Sequence, residues 1–177
     1  MISESVCEDS GCYTKKCEFI KEYFLNDSLF NNNNKKIHNV NNINNILNKS
    51  FGEILYSFCN INKDHDIIMD YRYFKFLYNL NGFDKECIIQ YIVNIVHEIL
   101  KKKKTIILHI CFKSFTISDF DKYNAFFVQL FETMKNTFDD KLEKCFFYKA
   151  PFLFSQILAI LSMFFDKKIL SKIQLVE

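Results

Sequence analysis

Apolar positions change their rhythm along the chain, and the changes divide it. Between Lys15 and Leu25, Phe19, Ile20, Tyr23 and Phe24 fall on one stripe and predict a short helix. From Asn26 to Ser50 the chain is rich in Asn, whose side chain competes for backbone hydrogen bonds and favours turns. Ile37, Val40, Ile43, Ile46 and Leu47 nevertheless recur every three or four residues, the pattern of a marginal helix that Phe51–Phe58 extends. Residues 1–60 therefore read as an N-terminal Asn-rich region, helical or partly disordered, and 61–177 as the main domain.

The second half is more sharply patterned. Ile67 to Leu80 is apolar and aromatic, contains a strand, and is broken by Asn81-Gly82. Asp84 caps a helix whose core face is Ile88, Ile92, Ile95, Val96, Ile99 and Leu100, closed by Lys101–Lys104 at its carbonyl end. Thr105–Cys111 reads as a buried strand. Asp119 opens a helix bearing Tyr123, Phe126, Phe127, Leu130, Phe131 and Met134, and Leu142–Tyr148 is a second core strand. Pro151 suits the first turn of a helix through Phe165, and Lys172–Val176 closes the chain as a strand. Helices alternating with strands predict an α/β sandwich with crossover helices.

Composition narrows the function more than it defines it. With 177 residues, 49% hydrophobic and 17% aromatic, the chain is long enough and apolar enough for one packed domain. Its 23 Lys and Arg against 21 Asp and Glu exclude a broadly basic nucleic-acid binder. Only 3 Gly and 1 Pro leave no glycine-rich phosphate cradle, and Arg72, the sole arginine, leaves little bidentate anion recognition. The polar, acidic start lacks a secretory signal, and no apolar run reaches the roughly 20 residues that span a bilayer. Seven widely spaced Cys suggest reduced thiols in a cytosolic protein, peripheral to membranes at most.

Reactive constellations are scarce. His97-Glu98 resembles a zinc-protease helix, but position 101 is Lys where the second ligand belongs. Cys7, Cys12 and Cys17 are five apart, a spacing that holds neither a metal nor one helical face. Asp139-Asp140 reads as a solvated turn. The Lys101–Lys104 run reads either as a charged helix end or as a contact for an anionic membrane. His109, inside TIILHIC, points either into a core or into a ligand cavity. No catalytic residue, metal or cofactor is expected.

The segment PFLFSQILAILSMFF, Pro151–Phe165, is interrupted only by Ser155, Gln156 and Ser162. Too short to span a membrane, it is either buried between layers, a lid facing an apolar cavity or lipid, or a surface for a partner protein. The last forty residues then become specific. Phe138-Asp139-Asp140, Leu142, Cys145–Tyr148, Lys149-Ala150-Pro151, the Phe-rich segment, Asp166 and Lys172-Ile173 together resemble the CRAL-TRIO or Sec14-like lipid-binding domain. His109-Ile110 and the FDKKILSKIQLV ending are similar to its divergent branch, found beside Rho GTPase-activating domains and in BCH scaffolds. The resemblance covers about residues 66–177.

That resemblance implies a mixed sheet covered by crossover helices, with a C-terminus reduced by the missing helix after the last strand. The sheet would floor an apolar cavity gated by the helix after Pro151. It assigns Phe152, Phe154, Ile157, Leu158, Leu161 and Phe165 to the gate, Lys172 and Asp140 to a head-group site, and His109 to the cavity strand. Ile169 replaces the usual hydroxyl residue near that site, which argues against inositol phosphate recognition. The expected partners are a hydrophobic small molecule or phospholipid, a transient membrane contact, and a protein partner should the 21 Phe fill the cavity and leave a scaffold.

Overall fold

The computed structural model describes residues 20, 50–80, 84–138, 140–150, 152 and 154–176. The expected helices at Lys15–Leu25 (Ile20 apart) and Asn26–Lys49, the Asn81-Gly82 break, Cys7, Cys12, Cys17, Asp139 and Pro151 lie outside these residues. The described elements are α1 Phe51–Phe58, β1 Cys59–Ile61, β2 Ile67–Asp70, α2 Tyr71–Tyr78, α3 Glu86–Leu100, β3 Ile106–Cys111, α4 Ile117–Phe138, β4 Leu142–Tyr148, α5 Phe154–Phe164, α6 Lys167–Leu170 and β5 Ile173–Val176.

The strands form one mixed sheet in sequential order, β1 antiparallel to β2 and the remaining pairs parallel. Every parallel step moves to the next strand in the same direction. Right-handed crossovers taken in one direction place their helices on one face of the sheet. The buried residues divide accordingly. Ile106, Cys145 and Phe147 pack with residues of every helix from α1 to α5, whereas Ile68, Ile107, Cys111, Phe146 and Tyr148 form a separate cluster with Ile20.

Local chemistry sets the element ends. Ser50 and Glu53 form a reciprocal capping box that starts α1, and Thr116 with Asp119 does the same for α4. The α4 helix therefore begins earlier than Asp119 alone suggested. Asp84 Oδ1 accepts from the Glu86 N–H at the head of α3. The Ile67–Leu80 segment contains the expected β2, but from Tyr71 onward it is helical. Asp70 causes the switch by accepting from the Arg72 N–H, an N-cap that frees the chain from the sheet. Strand β1 was not foreseen. Tyr91 donates to the Cys59 carbonyl at 2.9 Å and ties it to α3, so the expected boundary between residues 60 and 61 runs through a strand of the sheet.

An aromatic block fills the layer between α2 and α4. Phe74 lies 4.9 Å from Phe126 and meets Tyr123 edge-on at 5.4 Å, and Tyr123 meets Tyr78 at 4.6 Å between ring centres. Each such pair adds about 0.5–1.5 kcal/mol to its burial. On the other face of the sheet, near Cys111, Arg72 is buried, its Nε 3.0 Å from Asp70 Oδ1. A buried charge that loses its partner costs far more than an exposed pair gains. Asp70→Ala is therefore expected to destabilise the fold by about 3–5 kcal/mol, read from the midpoint of denaturant unfolding.

Asp119 makes a second buried anchor. Burial pushes its carboxyl up, but hydrogen bonds from Lys75 and Thr116 outweigh that and hold it below the ordinary range. Because the folded value lies below the unfolded one, the stability it contributes is complete above about pH 4 and disappears as pH falls through the folded value. The stability advantage of the wild type over Asp119→Asn should therefore shrink in acid; a constant difference between their pH–stability curves would refute this.

Candidate functional site

Alternation along the strands decides which side chains face the helices. Met69 of β2, Ile106, Leu108 and Ile110 of β3, Cys145 and Phe147 of β4 and Ile173 of β5 share one face. Opposite them stand Ile92 of α3, Leu130, Phe131 and Met134 of α4, Leu161 of α5 and Phe165 just beyond it. These walls do not meet. Between them lies an apolar cavity of about 140 Å³, and it adjoins a second space of about 90 Å³ that runs toward Phe74, Phe112 and Phe126. The exposed lining residues Lys135 and Asp140 mark the mouth, beside the first residues of β3, β4 and β5. Apolar cavities of this size stay dry and take up apolar guests.

The α5 helix forms part of the roof. Phe154, Ile157, Leu158, Leu161 and Phe165 turn inward at helical spacing, and Ser155, Gln156, Ala159, Ser162 and Met163 face outward. The segment is therefore less encircled by apolar surface than its sequence suggested, because its small and polar residues fall together on one side. Phe154 packs edge-on against Phe147 at 5.3 Å, and Phe131 reaches Phe164 and Phe165 at 6.0 and 6.1 Å.

Among the residues foreseen from sequence, Leu161, Phe165 and Asp140 line the main cavity, and Ile157 lines the adjoining space. Leu158 and Phe154 pack behind them. Phe152 does not join this wall and is 86% exposed. Lys172 sits at the rim, donating from Nζ to the Leu142 carbonyl at 2.6 Å. The ion partner of Asp140 is Lys168 at 2.9 Å, which with Lys172 and Lys141 holds the carboxyl below its usual range. Asp140 itself takes a left-handed turn at φ 60°, a conformation that Asp tolerates better than most residues.

His109 corrects the expectation that it lines the cavity. It falls between Leu108 and Ile110, so the two-residue repeat turns it to the other face of the sheet. There it is fully buried, with Nδ1 2.7 Å from the Tyr148 hydroxyl and Nε2 3.4 Å from Asp66 Oδ2, and it stacks on Phe146. His97 is exposed at the edge of Phe138. The lysine run caps α3: Lys101 pairs with Glu98, and Lys103 donates to the Asp64 carbonyl and faces Asp66. Among the described residues no group of His, Cys, Asp or Glu is placed to hold a metal, and no helix is long and apolar enough to cross a membrane.

Sequence reasoning had grouped Leu130, Phe131 and Met134 on a core face without assigning them to a cavity, and it missed Lys135. A solvated lysine on a helix carries no signal of the hollow beside it. Burial also pushes the Cys145 thiol in the cavity wall far up, which keeps it neutral and unreactive. If His109 is a structural residue, Tyr148→Phe should cost roughly 1–3 kcal/mol in unfolding experiments while leaving uptake of apolar probes unchanged.

The comparisons agree with this geometry. No curated protein matches the sequence at a significant level. A search of solved structures finds the crystal structure of Sfh5 at a TM-score of 0.52 and 12% sequence identity, a likeness of fold. That match covers 66% of this chain and 43% of the other, so the chain has counterparts for less than half of that protein. The CRAL/TRIO domain family matches residues 67–177, from the first residue of β2 to the end of the chain. With the mixed sheet, the placement of α2–α5 on one face and the hollow beneath α5, that match shows that the chain belongs to the CRAL/TRIO domain family, with a Sec14-like fold.

Proposed function

We propose that this protein binds a lipid or similar hydrophobic molecule without catalysis, in the cavity between the sheet and α4–α5, and exchanges it at membranes by displacement of α5. The observation that carries the reading is the hollow itself, a space of about 140 Å³ walled almost wholly by carbon and roofed in part by α5. An unfilled cavity of that size costs on the order of 3 kcal/mol of stability. An apolar guest recovers that loss, and each buried CH₂ adds about 0.8 kcal/mol. Leu161, Phe165, Ile157 and Asp140 are the residues we assign to ligand contact, with Phe154 and Leu158 backing the gate.

Lys149, between β4 and α5, stands at φ 52°, a left-handed position that costs a side chain about 1–2 kcal/mol; in this reading it is the hinge about which α5 swings. The exposed Phe152 and Met163 (67% exposed) supply apolar contact with a bilayer when it does. We place the protein in the cytosol, peripheral to membranes.

A second reading has its own support. The aromatic block of Tyr71, Phe74, Tyr123 and Phe126 fills much of the layer, and the remaining hollow is smaller than the roughly 300–1,000 Å³ of ordinary ligand pockets. A domain with so reduced a cavity would serve as a scaffold that docks a partner protein. Met134→Trp separates the two readings, because Met134 is half-buried in the cavity wall and a larger side chain fills the hollow without displacing the core. Wild-type protein should carry extractable lipid, seen by mass analysis, and exchange it with liposomes. The tryptophan variant should stay folded and lose both. Wild type that is consistently empty and exchanges nothing would favour the scaffold.

A further inference from the structure

The hollow has a volume and its mouth has a charge, and together these define a ligand class, one that rests on the hydrophobic-ligand reading above. The main space and the one adjoining it share Met69, Ile92, Ile110, Leu130, Phe131, Phe147 and Leu161 as walls, so they form one slot running along the strands. An apolar cavity of about 150 Å³ accommodates one benzene-sized guest. By that measure spaces of about 140 and 90 Å³ hold roughly ten carbons. One alkyl chain fits. That volume leaves no room for a second chain of the same length.

Among the described residues, lysines gather at the mouth. Lys135 is exposed on the cavity rim and makes no ion pair among the described residues. Lys168, Lys172 and Lys141 surround Asp140, whose carboxylate is engaged by Lys168 at 2.9 Å. Asp166, the next described acid in the neighbouring loop, accepts from the Ile169 N–H as the cap of α6. A lysine ammonium beside an apolar slot suits an anion carried on a hydrocarbon chain.

We infer that the cavity takes a single-chain anionic amphiphile of the fatty-acid type, its tail along the slot beneath Leu161 and its head group paired with Lys135 at the mouth. Two-tailed phospholipids exceed the volume of the slot, and neutral or cationic single chains are disfavoured at the head.

Titration calorimetry of the full chain with decanoate, decanol and decyltrimethylammonium tests this, alongside incubation with phosphatidylcholine–phosphatidylserine vesicles and mass analysis of what the protein retains. Decanoate should bind tightest and the cation weakest. Lys135→Glu should weaken decanoate roughly tenfold or more and leave decanol unchanged, a split that a loss of fold would not produce. Equal binding of decanoate and decanol, an unaltered decanoate affinity in Lys135→Glu, or retention of one diacyl lipid per protein would overturn the inference while leaving the hydrophobic-ligand reading in place. Failure of all three probes and of the vesicles to load the protein would overturn both.

Discussion

Chirality governs this molecule before any site chemistry does. Three successive parallel connections, from β2 to β3, β4 and β5, each advance one strand in the same direction, and a right-handed crossover admits one side for its helices. All of α2 through α5 are thereby committed to one face, where they share a single core with α1. Among the described residues the other face carries a separate cluster in which Ile20 packs with Ile68, Ile107 and Phe146. The two-residue alternation of each strand distributes its side chains between these unequal layers, so a residue's role follows from its parity as much as from its chemistry.

Crowding the helices onto one face makes their spacing the critical quantity. On the α2 side the layer closes, because large rings interlock and Asn79, Lys75 and Asp119 fasten α2 to α4. On the α5 side it does not close. Here Phe131 bridges to Phe164 and Phe165 at the rim, while Leu130, Met134 and Leu161 fall short of the sheet. The same aromatic richness thus fills one half of the layer and props open the other. A slot held open in this way is narrow, apolar and bordered by lysines, properties that follow from packing and not from any reactive group.

The buried polar groups belong to the frame of this slot. Asp70 and Arg72 turn the chain from β2 into α2, and Asp119 starts α4. His109, whose place in its strand allowed either a core or a cavity position, bonds Tyr148 on the far face. At the two positions that the resemblance assigns to a head group, Lys172 holds the Leu142 carbonyl and Asp140 pairs with Lys168. Residue type marked each of these as polar and consequential, but which group each one meets depends on parity and on helix α6, a short turn with no periodic signal of its own.

By itself the sequence determined the alternation of helices and strands, the core faces of α3 and α4, the inward-turning residues Ile157, Leu161 and Phe165, and the resemblance of the last forty residues to the CRAL/TRIO family. Those are local properties, fixed by periodicity, capping and short-range order along one segment. Tertiary structure alone decided that β1 joins the sheet, that Tyr71 leaves it, that His109 faces away from the hollow, and that Lys135 stands at its mouth. These depend on which surfaces meet and on the volume left between side chains from five separate elements. A gap is a difference between the spacing of backbones and the reach of side chains, and no single stretch of chain contains both quantities.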